Sequence, residues 1–324
     1  MFVTLCWPTG ALVRRGDSEV ARRVAENRGA RLSQKSFFQL VKRAEEIVGD
    51  DELLFVAEGL IYWQHVNVGI VPVSQYDEYL RKAEGCAAKV FALNPESSKG
   101  HGLRGAIRHN RADPKGAARD YKKALVLDPN DPEALLWLGY HYAVSGRPDL
   151  ARALMDRLQQ VDPLTSINLT MYGMVAMFDG NYPEALTWTQ RSVDIDPANP
   201  TPRMMHALML AANGRREEGV AMLDSVAGDA SAMAWAKLAP AMACALRGER
   251  DALLRLMTPE LRAAAEWDEI FAWWVADCFA LVNEATRRLT SSSAPLNSGS
   301  STRHGCRSTS RFSGASGVSR GFVA

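Results

Sequence analysis

Six histidines and one acidic run are the residues of this chain that could do chemistry. His101 and His109 lie eight residues apart on one predicted helical face. A helical metal-binding pair prefers a spacing of about four residues and a third ligand in phase, and neither is present. We therefore expect two rings that face solvent or a groove. The acidic run is typical of a solvated turn rather than an acid–base pair, and it comprises Glu45, Glu46, Asp50, Asp51 and Glu52.

The motifs of the common enzyme classes are missing from the sequence. There is no Gly-x-x-x-x-Gly-Lys-Ser/Thr loop, no Gly-x-Gly-x-x-Gly after a predicted strand, and no protein-kinase motif. Cys-x-x-Cys and His-Glu-x-x-His are also missing, so we expect no catalytic residue, no cofactor and no metal. The cysteines are odd in number and lack metal-binding spacing, which predicts reduced, mostly buried thiols in a cytoplasmic protein. They are Cys6, Cys86, Cys244, Cys278 and Cys306.

The charge of the chain is nearly balanced, with a net value of +1 at neutral pH. Residues 285–324 hold six arginines and no lysine, aspartate or glutamate, which leaves 32 basic against 37 acidic residues in the remainder. This composition indicates neither nucleic acid nor a membrane as a partner. We also expect no signal peptide and no membrane span, because the start lacks a basic segment and no apolar run approaches about 18 residues.

A short pattern recurs every 34 residues along the middle of the chain. An apolar helix stops at Asp-Pro or Asn-Pro, and a second helix starts at once, as in "VLDPNDPEAL". Small residues follow the same step, with glycine in the first helix of each pair and alanine in the second. Markers that stay in phase over about 100 residues predict a stack of helical hairpins. They are Pro95, Pro129, Pro163 and Pro197, then Gly105, Gly139 and Gly173, then Ala117, Ala151 and Ala185.

Each marker has a physical role in such a hairpin. Proline just past a helix ends it, because the ring has no N–H to donate and clashes with the preceding turn. The small residues allow the two helices of a pair to approach closely. In the fourth repeat the same positions hold Ala207 and Gly219.

The pattern resembles the tetratricopeptide repeat family. Aligned from Pro132, the second repeat holds family residues or apolar equivalents at Leu135, Leu138, Gly139, Tyr142, Ala151 and Pro163. The resemblance is specific from Ser98 to Pro197 and continues more weakly to about Glu284. It implies an all-α fold, a right-handed superhelix of helical hairpins. The predicted divisions are an unassigned segment 1–16, N-terminal helices and a degenerate repeat 17–97, core repeats 98–231, degenerate repeats 232–284, and a tail 285–324.

The degenerate first repeat has a longer internal loop than the others. Gly59 and Ala83 are 24 residues apart where the other repeats use 12. Ahead of this repeat, we predict one amphipathic helix that begins at Ser33 or Ser36.

The tail allows two interpretations. Its Ser, Gly and Arg content is typical of disorder, and it also fits translation out of frame, since alternative codons could give a repeat-type helix. In that case the stack loses its last helix and exposes an apolar face near Phe271, Trp274 and Phe279, through which the protein could self-associate.

The family resemblance implies that the first helices line a concave face and that a protein or peptide partner binds there. This predicted groove is apolar and rich in methionine, which adapts its shape to a partner. The same stripe could instead be packed core, or be covered by the N-terminal helix of the chain. The predicted groove residues are Leu136, Tyr140, Val144, Thr170, Met174, Met177, Phe178, Met204, Leu208 and Ala211, with Gly102, Ala106, His109 and Asn110 from the first repeat.

The favoured function is therefore a non-enzymatic protein–protein interaction scaffold. The alternative also comes from resemblance, because similar repeat stacks follow the catalytic domains of bacterial Ser/Thr kinases and nucleotide cyclases. In that case the chain is an accessory signalling region whose catalytic domain lies elsewhere.

Overall fold

The computed structural model describes residues 43, 46–47, 49–228, 234–267 and 269–292. Within these ranges the chain forms helices joined by short turns and contains no strand. The predicted all-α fold is confirmed: the structure is a right-handed solenoid of helical hairpins.

Fourteen helices follow one another in the described part of the chain and pack in consecutive pairs. The first helix of a pair also contacts the first helix of the next pair, so that the first helices together form the inner face of the stack. The pairs are α1 (Glu52–Asn67) with α2 (Tyr76–Leu93), α3 (Ser98–Asn110) with α4 (Pro114–Leu127), α5 (Pro132–Val144) with α6 (Pro148–Val161), α7 (Ser166–Phe178) with α8 (Tyr182–Ile195), α9 (Pro200–Ala212) with α10 (Arg216–Gly228), α11 (Ala234–Arg247) with α12 (Arg250–Leu256), and α13 (Pro259–Trp267) with α14 (Glu269–Ser292).

The four phased prolines end helices as predicted. Pro129 follows two residues after the last residue of α4, and the other three prolines stand in the same relation to α2, α6 and α8. The next helix starts at once because a side chain caps it. Asp131 accepts a hydrogen bond from the backbone N–H of Ala134 at 3.1 Å, and Pro132 occupies the first helical position, where no N–H is needed.

The small residues lie where the two helices of a pair cross. A methyl group placed on Gly173 would lie 3.2 Å from the carbonyl oxygen of Ala185, and one on Gly105 would press into the ring of Tyr121. At these two positions the helices of a pair therefore lie too close for a side chain without a shift of the neighbouring atoms.

The turns inside the hairpins share a further feature that the sequence prediction did not include, a glycine that recurs at the repeat spacing. Gly146, Gly180, Gly214 and Gly248 all have positive φ values between 74 and 82°, and they are 34 residues apart. Ala112 occupies the equivalent position one repeat earlier, with a φ value of 55°. Glycine adopts this left-handed conformation without the steric cost that a side chain brings. The spacing of these glycines was visible in the sequence and would have located each turn.

The N-terminal repeat has the predicted long connection. Helix α1 takes up the first part of the extra residues, and the remainder runs through a short 3-10 turn at Val73–Gln75 before α2 begins. The helix predicted to start at Ser33 or Ser36 lies almost wholly outside the described residues, as does the unassigned segment 1–16.

The C-terminal end of the stack extends beyond the prediction. The degenerate repeats predicted for residues 232–284 contain four helices, α11 to α14. Helix α14 also continues to Ser292, so the predicted end of helical structure near Glu284 is too early. Residues 293–324 lie outside the described part of the chain, and whether they are disordered or out of frame remains a prediction for the nucleotide sequence of the gene to test.

The predicted exposed apolar face at the end of the stack is not found. Phe271 and Trp274 are each only 2% exposed, and Phe279 is half-buried. Helix α14 packs against α11, α12 and α13, which cover its apolar side. The basis for self-association through this face is therefore removed.

Candidate functional site

The predicted groove residues are largely buried by the chain itself. Eight of the ten are at most 9% exposed, whereas Val144 is 42% exposed and Phe178 is half-buried. A groove open along all ten residues is therefore not what the structure shows, and most of the methionine stripe belongs to the core. The buried residues are Leu136, Tyr140, Thr170, Met174, Met177, Met204, Leu208 and Ala211.

Thr170 illustrates why helix position alone misplaces a side chain. Its hydroxyl lies 2.7 Å from the hydroxyl of Ser192 on α8 and donates to the carbonyl of Ser166 at 3.3 Å. Both contacts are inside its own hairpin, so Thr170 holds α7 against α8 instead of lining the inner face.

Both ends of the stack fold over the inner face. Val73, in the long connection of the first repeat, packs against the same hydrophobic core that holds the methionine stripe. Tyr76 meets Trp267 of α13 in an edge-to-face contact, with ring centroids 5.6 Å apart. Trp273 of α14 also contacts Phe178 of α7, with the two ring centroids 5.4 Å apart. The elements that cover the stripe are therefore the long connection and the C-terminal helices.

The two histidines considered for a metal site are not solvated. His101 is 9% exposed, and its Nδ1 atom lies 3.2 Å from the Oδ1 atom of Asp120 on α4. His109 packs against the rings of Trp137, Tyr140 and His141. Burial lowers the pKa of His109 to about 3 and that of His141 to about 4, so both rings are neutral at physiological pH. Of the two predicted alternatives, a solvent-facing ring is excluded for His101, which its neighbours bury, whereas His109 is half-buried against rings of the next first helix.

A half-buried carboxylate, Glu133, lies beside this aromatic group. The indole Nε1 of Trp137 donates to Glu133 Oε2 at 3.2 Å. Burial, reinforced by the negative charge of Asp131 and opposed by Lys99, raises the pKa of Glu133 to about 7. The side chain is therefore partly protonated near neutral pH.

Replacing Glu133 with glutamine should stabilise the protein at pH 8 and have little effect at pH 4.5. The folded protein keeps this proton up to about pH 7, whereas the unfolded chain releases it above pH 4.5, so folding becomes less favourable as the pH rises between these values. The difference between the folded and unfolded pKa values of Glu133 corresponds to roughly 3 kcal/mol in the free energy of unfolding. Because the side chain keeps some solvent access, we expect about 1–2 kcal/mol at pH 8.

Urea unfolding of the unaltered chain and of Glu133→Gln at pH 4.5 and pH 8 measures this effect. Glu217→Gln changes an exposed glutamate on α10 and should alter stability equally at the two pH values. An equal change for Glu133→Gln at both pH values would contradict the assigned environment.

A small pocket opens between the inner face and α14. Asp277 provides its polar group, and burial raises the pKa of that carboxyl to about 6. Its Oδ2 atom is buried and accepts no hydrogen bond from the described residues. The neighbouring Cys278 is a buried free thiol whose pKa is raised to about 12 by burial and by the charge of Asp277, so it is not an activated nucleophile. The pocket is lined by Leu208, Met242, Trp274, Asp277, Cys278 and Leu281.

The described cysteines agree with the expectation from the sequence. Cys86, Cys244 and Cys278 are free and buried. In the part of the chain that the structure describes, no group of three or more His, Cys, Asp or Glu side chains could hold a metal ion. Among the helices of the same described residues, none is long and apolar enough to cross a bilayer.

A family model described as "Tetratricopeptide repeat" matches residues 111–167, which run from the end of α3 to the start of α7. The fold is that of a tetratricopeptide-repeat solenoid. It is similar to the crystal structure of a tetratricopeptide repeat protein from Parabacteroides merdae, with a TM-score of 0.51 and 14% identity over 83% of this chain and 97% of the other.

Two further relatives give the range of similarity. PilF of Pseudomonas aeruginosa matches with a TM-score of 0.44 and 20% identity, over 63% of this chain and 88% of the other. Among curated proteins, cellulose synthase operon protein C of Pseudomonas fluorescens is 30% identical over 118 residues, which are 34% of this chain. The chain covers only 9% of the length of that relative.

Proposed function

We propose that this chain is a non-enzymatic scaffold that binds a protein segment at the C-terminal part of its inner face. One observation carries the proposal: the partly exposed rings of Phe178 and Trp273 meet on this face, with their centroids 5.4 Å apart. Half-exposed aromatic side chains around a concave pocket are typical anchors for a partner. The repeat fold supports this function, because stacked hairpins create extended concave surfaces.

Because most of the predicted groove residues are buried, the proposed binding surface is smaller than the one predicted from the sequence. Phe178 keeps access to solvent, and Leu208 lines the pocket. The buried members of the stripe, such as Met174 and Met177, support these residues from behind. We therefore place the partner against α7, α9 and α14 and not along the whole concave face.

A random peptide library displayed on phage, selected on the full chain, tests the scaffold function. We expect peptides of one consensus sequence that bind the chain with micromolar affinity. Their affinity for Phe178→Glu should be at least tenfold lower, because a carboxylate replaces an apolar anchor. The matched control is Val126→Glu, which changes a residue that is 75% exposed on the second helix of its hairpin. Circular dichroism checks that both variants fold. Peptides that bind both variants as well as the unaltered chain would place the site elsewhere and overturn the assignment.

A second candidate is an accessory region of a larger signalling protein, of the kinase- or cyclase-associated kind. The matched curated relative is much longer than this chain, which supports a repeat region within a longer protein but gives no particular support to a kinase or cyclase. A kinase or cyclase reading frame directly upstream of the gene would support this alternative, and the chain would still act by binding. We also propose a cytoplasmic location, which the three free buried thiols support.

A further inference from the structure

The hairpin formed by α3 and α4 carries a large share of the positive charge of the chain. Residues 98–127 hold eight lysines and arginines and two aspartates, which gives a net charge of +6. The rest of residues 1–284 holds 24 basic and 35 acidic residues. One strongly basic hairpin therefore stands in an otherwise acidic body.

The outward face of α4 presents three cations in a line. Lys115, Arg119 and Lys122 are exposed, and their spacing of four and three residues places them on one side of the helix. The opposite side of α4, which includes Tyr121, is buried against the stack. Lys122 also places its Nζ atom 5.4 Å from the ring centroid of Tyr142. We call Lys115, Arg119 and Lys122 the basic line of α4.

The carboxylates around the basic line already have other cationic partners. Asp120 pairs with Arg104 and Arg108, and its side chain is almost fully buried. The other neighbouring pairs are Asp113 with Arg108, Glu96 with Lys123, and Asp131 with Lys99. In the part of the chain that the structure describes, no ion pair joins a carboxylate to a residue of the basic line. The positive charge of this face is therefore not balanced by its own neighbours.

The basic line does not stabilise the helix that carries it. Like charges three and four residues apart destabilise a helix, because their side chains are neighbours on its surface. Lys115 also lies in the first turn of α4, where the helix dipole favours negative charge. A negatively charged partner would remove both penalties.

The repeat architecture does not require cations at these positions. The equivalent residues one repeat later, on α6, are Asp149, Ala153 and Asp156. Three repeats later, on α10, they are Glu217, Ala221 and Asp224. The basic line is therefore a property of this hairpin and not of the repeat.

The surroundings of the basic line favour a protein segment over a longer polyanion. Val126 continues the line by one turn and is 75% exposed, so the face also offers an apolar contact. Asp149 and Asp156 are exposed on the next hairpin and would repel a nucleic acid or an anionic bilayer that extended across it. The line is about 10 Å long at the rise of an α-helix, which matches about three or four residues of extended chain.

We propose that the outer face of α4 binds a short acidic segment of a partner protein. Its carboxylates pair with Lys115, Arg119 and Lys122, and an apolar side chain of the segment packs on Val126. This surface lies outside the inner face that Phe178 and Trp273 mark, so it does not depend on the function proposed above.

Titration of the full chain with the acetylated hexapeptide Glu-Glu-Asp-Leu-Glu-Glu, followed by calorimetry and by backbone amide NMR, tests this surface. The neutral analogue Gln-Gln-Asn-Leu-Gln-Gln serves as the reference peptide. We expect the acidic peptide to bind at least tenfold more tightly and to shift the amide signals of α4. The preference should weaken as salt is added, because exposed charges are screened.

A triple variant with Lys115→Gln, Arg119→Gln and Lys122→Gln should abolish the preference for the acidic peptide. Its urea midpoint should not fall, since the three cations repel one another in the folded chain. The matched control carries glutamine at three exposed arginines of α10 and α12, with the same change in net charge, and should bind the acidic peptide like the unaltered chain. These arginines are Arg216, Arg250 and Arg255.

Equal binding of the two peptides, or an equal loss in both triple variants, would overturn the proposal. A lower urea midpoint for the α4 variant would overturn it too, because the cations would then support the fold. Tighter binding of oligothymidylate, or of vesicles with equal parts of phosphatidylcholine and phosphatidylserine, would contradict a protein partner. Val126→Glu should weaken the acidic peptide and Phe178→Glu should not, so failure of this surface and failure of the inner-face site are distinguishable.

Discussion

Replacing Gly219 with alanine should lower the free energy of unfolding by about 2–3 kcal/mol, although alanine is the better helix former. A methyl group at this position would overlap the carbonyl oxygen of Ala207 in the partner helix of the hairpin. The obstacle is backbone, which a rotamer change cannot relieve, so α9 and α10 must move apart. Overpacking of a tight contact typically costs about 1–3 kcal/mol. Urea or thermal unfolding of the full chain measures the loss.

The matched control is Gly85→Ala in α2. Gly85 also lies inside a helix, but it is exposed, and a methyl group there would meet no atom within 4 Å. We expect a gain of about 0.5–1 kcal/mol from helix propensity alone. The same sign of change at Gly219 and Gly85 would show that close packing does not decide the outcome at Gly219.

Replacing Asp120 with alanine should cost about 2–3 kcal/mol. The residue is 3% exposed, and its carboxylate accepts hydrogen bonds from Arg104 Nη2 and Arg108 Nη1, each at 2.7 Å, with His101 Nδ1 3.2 Å away. Removal leaves two guanidinium groups beside a buried cavity. Loss of one partner from a buried pair costs about 3–5 kcal/mol, and the expected value is lower because both arginines are about a third exposed.

Chemical denaturation of the full chain measures this loss, and Asp149→Ala serves as the control. Asp149 is exposed, and its ion pair with Arg147 lies at the surface, so its removal should change stability by less than about 0.5 kcal/mol. A loss below about 1 kcal/mol for Asp120→Ala would contradict the role of Asp120 in joining α3 to α4.

The sequence predicted the features of this protein that depend on neighbouring residues. Pro129 and the Asp131 cap set where one helix ends and the next begins, and both act within a few residues of their own position. Gly173 and Ala185 were predicted to let two helices approach, because a single hairpin brings them together. These local rules repeat along the chain, so a periodic pattern was sufficient to find them.

The candidate site depended on contacts that no periodic pattern contains. Met174 was assigned to a groove by its position in the repeat, but the long connection around Val73 and the C-terminal helices cover much of that face. His101 was expected to face solvent or a groove, but it is buried beside Asp120, which lies on another helix. Asp277 was not considered at all, since its environment is formed by α9, α11 and α14 together. Its unusual position in an apolar, Trp-rich helix was the available signal.

The contact between Tyr76 and Trp267 has a consequence for how the protein unfolds. In an open array each repeat touches only its neighbours, and terminal repeats can fray while the middle survives. Here the first and last described hairpins also touch each other, so the loss of either end removes an interaction from the other. Formation of this contact closes a very long loop, which costs chain entropy until the intervening repeats are in place. We therefore expect one cooperative transition for the whole array, with the seam between Tyr76 and Trp267 closing last during refolding.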